Sequence, residues 1–146
     1  MKQGFVKVAS ATPRIRVADP VYNAQVICEQ AKEAAEHGAK IVVFPELCIT
    51  GYTCNDLFLQ ELLLEKAKEA LLTIVEETGQ LEALFLVGLP VDKDGRLYNV
   101  AAVLYRGRIL GMIPKKNIPM YAEFYEGRHF TPGEETVTEY RLGKQE

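Results

Sequence analysis

Cysteine is scarce in this 146-residue chain, and its three copies are never clustered. Cys28, Cys48 and Cys54 form no CxxC pair and stand at no metal-ligand spacing from the two histidines, which argues against a cysteine-based metal site. An odd and sparse count suits a reducing cytoplasm. Excess basic charge is also missing: 17 Lys and Arg against 20 Asp and Glu leave a net charge of -3, with no footing for nucleic acid or an anionic membrane. No apolar run is long enough to span a bilayer. The opening MKQGFVKVAS lacks an extended apolar core of the signal-peptide kind and is expected to form a first strand. Internal repeats, low-complexity segments and linkers are absent as well.

What is present is the composition of one globular domain, 48% hydrophobic and 25% charged, long enough to bury a core. Phe5 to Ala11 predicts a short strand closed by Pro13. Asp19-Pro20 predicts a helix N-cap with proline at the first helical position. Ala24, Ile27, Cys28, Ala31 and Ala35 then fall on one face of a helix that stops at His37-Gly38. The apolar run up to Phe44 predicts a strand buried on both faces, and strand–helix–strand order implies a parallel crossover unit. Asp56 is placed to cap a second helix running to about Thr78, ended by Gly79, with Leu59, Leu62, Leu63, Ala67, Ala70, Leu71, Ile74 and Val75 as its apolar stripe. Leu84 to Leu89 predicts another buried strand, stopped by Pro90. Asp92-Lys93-Asp94-Gly95 predicts a turn before a strand over 97–105, and Arg106-Gly107 a tight reversal before a return strand from Arg108 to Ile113. Thr136 to Leu142 predicts one more strand.

Two stretches carry chemistry. Ile41 to Phe58, IVVFPELCITGYTCNDLF, sets Glu46 just past a strand that Pro45 ends, at the edge where α/β sheets gather their functional groups. Such a carboxylate is costly to bury unless it is paired or used; alone, Glu46 is better explained by a structural ion pair or a loop cap. Pro114 to Phe130, PKKNIPMYAEFYEGRHF, sets Lys115 just past another strand, followed by an aromatic and acidic cluster. Arg128 in that cluster is expected to be a structural salt-bridge partner.

The first stretch, with Phe-Pro-Glu-Leu, Gly51-Tyr52 and Asn55-Asp56-Leu57-Phe58, resembles the first signature of the nitrilase (carbon–nitrogen hydrolase) superfamily. The second resembles its lysine segment, with the family lysine at Lys115 and not at Lys116, which is expected to be a surface residue. More narrowly, both are similar to the glutaminase domain of glutamine-dependent NAD⁺ synthetases. The resemblance implies an α/β fold, part of a nitrilase-type αββα sandwich, with residues 1–146 as the N-terminal portion of the glutaminase domain and the synthetase domain absent.

Hydrolysing a carboxamide needs a nucleophile, a base to activate it, and positive charge where the tetrahedral oxyanion forms. By resemblance Glu46 is the base and Lys115 the oxyanion stabiliser. Tyr52, Tyr121 and Phe124 line the glutamine pocket, where aromatic walls with a polar handle suit an amide. For Phe124, interior packing is an equal alternative. An additional glutamate orients the lysine; it is Glu123 or Glu126, and spacing favours Glu123. The family nucleophile is a cysteine downstream of the lysine, whereas this chain has none after Cys54. Buried free cysteine is usually a small hydrophobe, so the isolated segment is expected to be inactive; unpaired sheet edges and an uncovered apolar face are expected to favour its self-association. The resemblance further implies glutamine as the small-molecule partner and a homo-oligomer. It implies no cofactor for this segment, with ATP and Mg²⁺ belonging only to the synthetase domain. The alternatives are another nitrilase-type amidase or carbamoylase, or a catalytically dead scaffold module of the same fold.

Overall fold

A computed structural model describes residues 4–144. In chain order it contains β1 (Val8–Ser10), α1 (Pro20–Glu36), β2 (Ile41–Val43), α2 (Glu61–Glu77), β3 (Leu84–Lys93), β4 (Arg96–Tyr105) and β5 (Arg108–Pro114), with short 3-10 turns at Asn55–Leu59 and Glu126–Arg128. The strands form one five-stranded sheet in the order β1-β2-β3-β4-β5. β1, β2 and β3 are mutually parallel, while β4 is antiparallel to both β3 and β5. Two reversals make β5 run in the same sense as β2 and β3. The C-terminal ends of β2, β3 and β5 therefore share one edge of the sheet.

Local chemistry accounts for the elements. The Asp19 carboxylate accepts the Tyr22 backbone N–H at 3.1 Å, the expected cap of α1, and Pro20 needs no donor at the first helical position. Asp94 and Gly95, and again Arg106 and Gly107, all have positive φ, the tight turn whose twist matches the flanking strands. Ala24, Ile27, Cys28 and Ala31 of α1 and Ala67, Ala70, Leu71, Ile74 and Val75 of α2 meet Val42, Phe85, Val87, Leu89, Val100, Ala102 and Leu104 in one core. Ile27, Leu71, Ile74, Phe85 and Leu89 are essentially fully buried there, each stabilising the fold by roughly 1.5–3 kcal/mol. Both helices cover the same sheet face.

Several sequence expectations need correction. β2 is buried on one face only: Val42 is enclosed, whereas Ile41 and Val43 are exposed, because no helix covers their side of the sheet. β1 is confined to Val8–Ser10, the three residues that find partners on β2. Asp56 does not cap α2; Gln60 does, through its extended backbone, and Asp56 sits in the preceding 3-10 turn. Leu59 and Leu62 are 66% and 68% exposed: Leu59 belongs to the interposed 3-10 turn, and Leu62, one residue or about 100° before Leu63, falls off the buried stripe of α2. Ala35 is only half-buried, and its neighbour Ala34 packs on the core. Thr136 to Leu142 forms no strand; only Leu142 makes an isolated bridge.

Pro90 does not stop β3. Lys115 N–H donates to Asn99 O, so the polar groups of Asn99 point toward β5 and those of its β3 partner Pro90 point away from β4. On that side β2 has already ended, and the missing proline N–H costs no ladder bond.

The loop after β2 uses the same gap. Phe85, Val87 and Leu89 face the helices, so Gly88 faces the opposite side. A Cβ on Gly88 would lie 2.4 Å from Leu47 N and 2.9 Å from Pro45 O. The Pro45–Leu47 turn thus lies directly across β3, and the Gly88 carbonyl accepts the Ile49 N–H at 3.1 Å. Leu47 adopts φ +53°, a left-handed conformation costing about 1–3 kcal/mol. Its side chain, fully buried with Phe58, Leu97 and Phe130, holds it there.

Since the Gly88 gap is closed by backbone on its far side, Gly88→Ala must displace the Pro45–Leu47 turn. Overpacking of this kind should destabilise the protein by about 1–3 kcal/mol, read as a lower midpoint in urea unfolding at unchanged slope. An unaltered midpoint would mean that the turn can lift without cost.

Candidate functional site

Glu46 and Lys115 follow β2 and β5, which are not neighbours in the sheet. They meet nonetheless, because the Pro45–Leu47 turn carries Glu46 over β3 toward β4. The Lys115 ammonium donates to Glu46 Oε1 at 2.6 Å and to Glu126 Oε1 and Oε2 at 3.0 and 3.2 Å. Its main chain is held on both sides: the N–H donates to Asn99 O at 2.8 Å, and the carbonyl accepts the Gly133 N–H at 2.9 Å. Asn99, on β4 and 3% exposed, also donates its side-chain amide to Glu46 Oε1.

The carboxylate that joins Lys115 from the aromatic-acidic cluster is Glu126, not Glu123. Sequence spacing favours Glu123, and the structure corrects that expectation. A 3-10 turn at Glu126–Arg128 points Glu126 inward, where it is 6% exposed and also accepts the Tyr52 hydroxyl at 2.9 Å. Glu123 instead lines an adjacent cavity of about 400 Å³. Neither Asn99 nor Gly88 was marked by the sequence; a buried amide within a strand, two residues after Leu97, was the only available signal for the first.

The cleft above the ammonium has a volume of about 140 Å³ and is lined by Glu46, Tyr52, Lys115, Pro119, Tyr121, Phe124 and Glu126. Tyr52, Tyr121 and Phe124 are therefore all brought to it, and Tyr121 and Phe124 pack edge to face with centroids 5.7 Å apart. Burial works against the Lys115 charge, but hydrogen bonds and Coulombic attraction from Glu46 and Glu126 outweigh it and hold Nζ above the ordinary lysine value. Lys115 thus remains an ammonium. Burial and then the bond to Glu126 push the Tyr52 phenol up to about 12, so it stays a neutral donor. The arrangement offers a fixed cation, a carboxylate with one oxygen toward open space, and aromatic walls. Those are the requirements for polarising a carbonyl and moving a proton beside it.

A family model described as carbon-nitrogen hydrolase matches residues 7–145. The chain belongs to the carbon-nitrogen hydrolase family. Among curated relatives, this carbon-nitrogen hydrolase chain is 39% identical over 142 residues to the glutamine-dependent NAD(+) synthetase of Mycobacterium tuberculosis, covering 97% of the chain and 21% of that protein. The Thermotoga maritima protein of the same name is 36% identical over 137 residues, covering 94% of the chain and 23% of the relative. The chain therefore spans about a fifth of the length of these relatives. The crystal structure of a glutamine-dependent NAD(+) synthetase from Cytophaga hutchinsonii superposes with a TM-score of 0.87 at 28% identity, over 96% of the chain and 24% of that structure. The mixed α/β sheet with its two helices is a nitrilase-type layer, as these neighbours have it.

No cysteine lines the cleft. Burial raises Cys28 and Cys48 to about 11 and raises Cys54 as well. Cys48 Sγ lies on Gly88 O, and Cys54 Sγ donates to Thr50 O at 3.2 Å. Outside the cleft, Arg128 pairs with Asp56 at 3.0 Å, as expected of a structural partner, and His129 Nε2 lies 3.0 Å from the same carboxylate. The His129 hydrogen bond, with Arg128 adding its charge, draws the Asp56 carboxyl below its usual range. Lys116 pairs with exposed Glu135 at 3.3 Å.

Two measurements follow from this electrostatics. In folded protein the three thiols should react with a chromogenic disulfide at pH 7.5 far more slowly than after unfolding; rapid labelling of Cys48 or Cys54 would contradict their burial. Tyr52 has a folded value above the ordinary tyrosine value near 10. The stability from its bond to Glu126 is thus complete below about pH 10 and lost as pH climbs toward 12. An ultraviolet titration of wild type minus Tyr52→Phe should place its ionisation near 12; a midpoint near 10 would remove the bond.

Proposed function

We propose that this chain is the base-and-cation half of a glutaminase: part of a domain that releases ammonia from the side-chain amide of glutamine. In the complete protein that ammonia serves ATP-dependent formation of NAD⁺ from deamido-NAD⁺. The observation that carries this reading is the Lys115 ammonium held between Glu46 and Glu126 at the floor of an aromatic-walled cleft. The names of the relatives at 39% and 36% identity support it.

On this reading the Glu46 carboxylate takes the proton of a thiol as the sulfur attacks the amide carbon. The carbonyl oxygen becomes an oxyanion beside the Lys115 ammonium. Glu46 then returns the proton to the departing nitrogen, giving ammonia and a thioester that water hydrolyses. Tyr121 and Phe124 wall the amide, and Tyr52 acts through Glu126, keeping its carboxylate turned to Lys115. The thiol comes from sequence outside these 146 residues, which form the N-terminal portion of the hydrolase domain. On this reading ATP and Mg²⁺ belong to a separate synthetase domain and not to this segment.

In the full-length protein that this reading requires, Glu46→Gln keeps the shape but cannot accept a proton. Glutamine-dependent NAD⁺ formation should fall by about 10²–10⁴-fold, while synthesis from free ammonia stays within about twofold of wild type. Equal loss of both activities in a folded variant would refute a role confined to amide hydrolysis. Lys115→Ala should abolish the glutamine-dependent activity too, and should cost on the order of 3 kcal/mol of stability because it strands buried Glu126. The 146-residue chain alone should release no ammonia from glutamine. Turnover that disappears in the Cys48→Ser, Cys54→Ser double variant would overturn the assignment of the nucleophile elsewhere.

A further inference from the structure

Asn99 is the point where the two halves of the site are joined. Its backbone carbonyl accepts the Lys115 N–H, and its side-chain amide donates to Glu46 Oε1. One residue of a central strand thus grips the backbone of the cation and the carboxylate of the base. Glu46 reaches this position on a turn that crosses β3, remote from its own strand, and its side chain is exposed enough to have other rotamers. A long carboxylate opposite a long ammonium is loosely determined by charge alone, because it can turn about its side-chain bonds while keeping an oxygen near the cation. A directional amide donor removes that freedom.

We infer that Asn99 is a positioning residue for the amide-hydrolysing reaction. It pins Glu46 Oε1 together with Lys115, so that Oε2 is the oxygen left to exchange the proton. The inference rests on the glutaminase reading for its chemistry, but not for its geometry. Both hydrogen bonds to the carboxylate end on Oε1. An amide serves here where an acid or a hydrophobe of equal size does not: a second carboxylate would repel Glu46, and an apolar side chain would leave it free to rotate. The bland alternative is that Asn99 merely satisfies a buried edge of β4. That alternative predicts loss of stability without a specific loss of turnover.

The test uses the full-length protein with Asn99→Leu and Asn99→Asp, both with the branching and the number of side-chain heavy atoms of asparagine, the leucine being the bulkier. If Asn99 positions the base, kcat for glutamine hydrolysis falls about 10–100-fold in Asn99→Leu, the range for a displacement near 1 Å, and further in Asn99→Asp. KM for glutamine stays within about threefold, and ammonia-dependent synthesis is unchanged. A kcat within twofold of wild type in either folded variant overturns the inference. So does a parallel fall of the ammonia-dependent activity, which marks a structural role. Crystal structures of the wild type and whichever variant folds give a readout that needs no turnover. Glu46 is expected to rotate so that Oε1 leaves Lys115; an unmoved Glu46 carboxylate overturns the inference. Should wild-type protein fail to hydrolyse glutamine, the glutaminase reading fails, and the crystallographic comparison alone decides the role of Asn99.

Discussion

The Lys115 ammonium stands between two carboxylates, and most of what surrounds it can be understood as support for that arrangement. Opposite charges at such distances attract by on the order of 4 kcal/mol in a partly solvated protein environment. Removing them from water offsets much of that gain unless further hydrogen bonds complete the site. Tyr52 completes Glu126, Asn99 completes Glu46, and the main chain of Lys115 is held by Asn99 and Gly133. Glu126 is the most deeply buried of the charges, so the ammonium keeps a partner even when the more exposed Glu46 changes protonation. A cation that is committed to one carboxylate and shared with another can stabilise new negative charge without losing its own proton.

The scaffold achieves this with short-range backbone chemistry. β2 ends early, which opens the edge of β3 beyond Leu86. Gly88 and Pro90 both occupy that opened stretch, one admitting a crossing turn and the other tolerating the absence of a ladder partner. Leu47 holds a left-handed conformation against a buried cluster of its own, so the turn that delivers Glu46 is anchored at the next residue. Strain next to a functional carboxylate, maintained by packing, is the usual way a site keeps a geometry that the chain would not choose.

Glu46, Asn99 and Gly88 lie on the sheet face away from the helices, and there Val8, Ile41, Val43 and Ile113 are exposed. Both the apolar side chains and the site therefore face the same solvent. Any layer that covered this face would bury the hydrophobes and, in the same step, lower the dielectric around Lys115, strengthening its pull on developing charge. Within these residues the chain brings a carboxylate and an ammonium together on this face, while burial keeps all three cysteines protonated.

How much of this was legible beforehand depends on the range of the interaction. Helix α1, the two tight turns and the strand runs follow from capping, positive-φ residues and apolar patterning, all of them local, and the sequence alone determined them. It also set Glu46 and Lys115 each just past a strand, and family resemblance joined Tyr52, Tyr121 and Phe124 to them; the sheet topology put the two strand ends on one edge. Only tertiary structure decided that Glu126, not Glu123, meets the lysine, because a single 3-10 turn sets which carboxylate points inward. Only tertiary structure revealed Asn99 and Gly88, whose roles depend on a loop that crosses a strand far from them in sequence. The same holds for Pro90 in mid-strand and for Asp56, drawn from capping a helix to pairing with Arg128 and His129. Apart from Glu126, which its own turn directs inward, the deciding partner in these cases is distant along the chain.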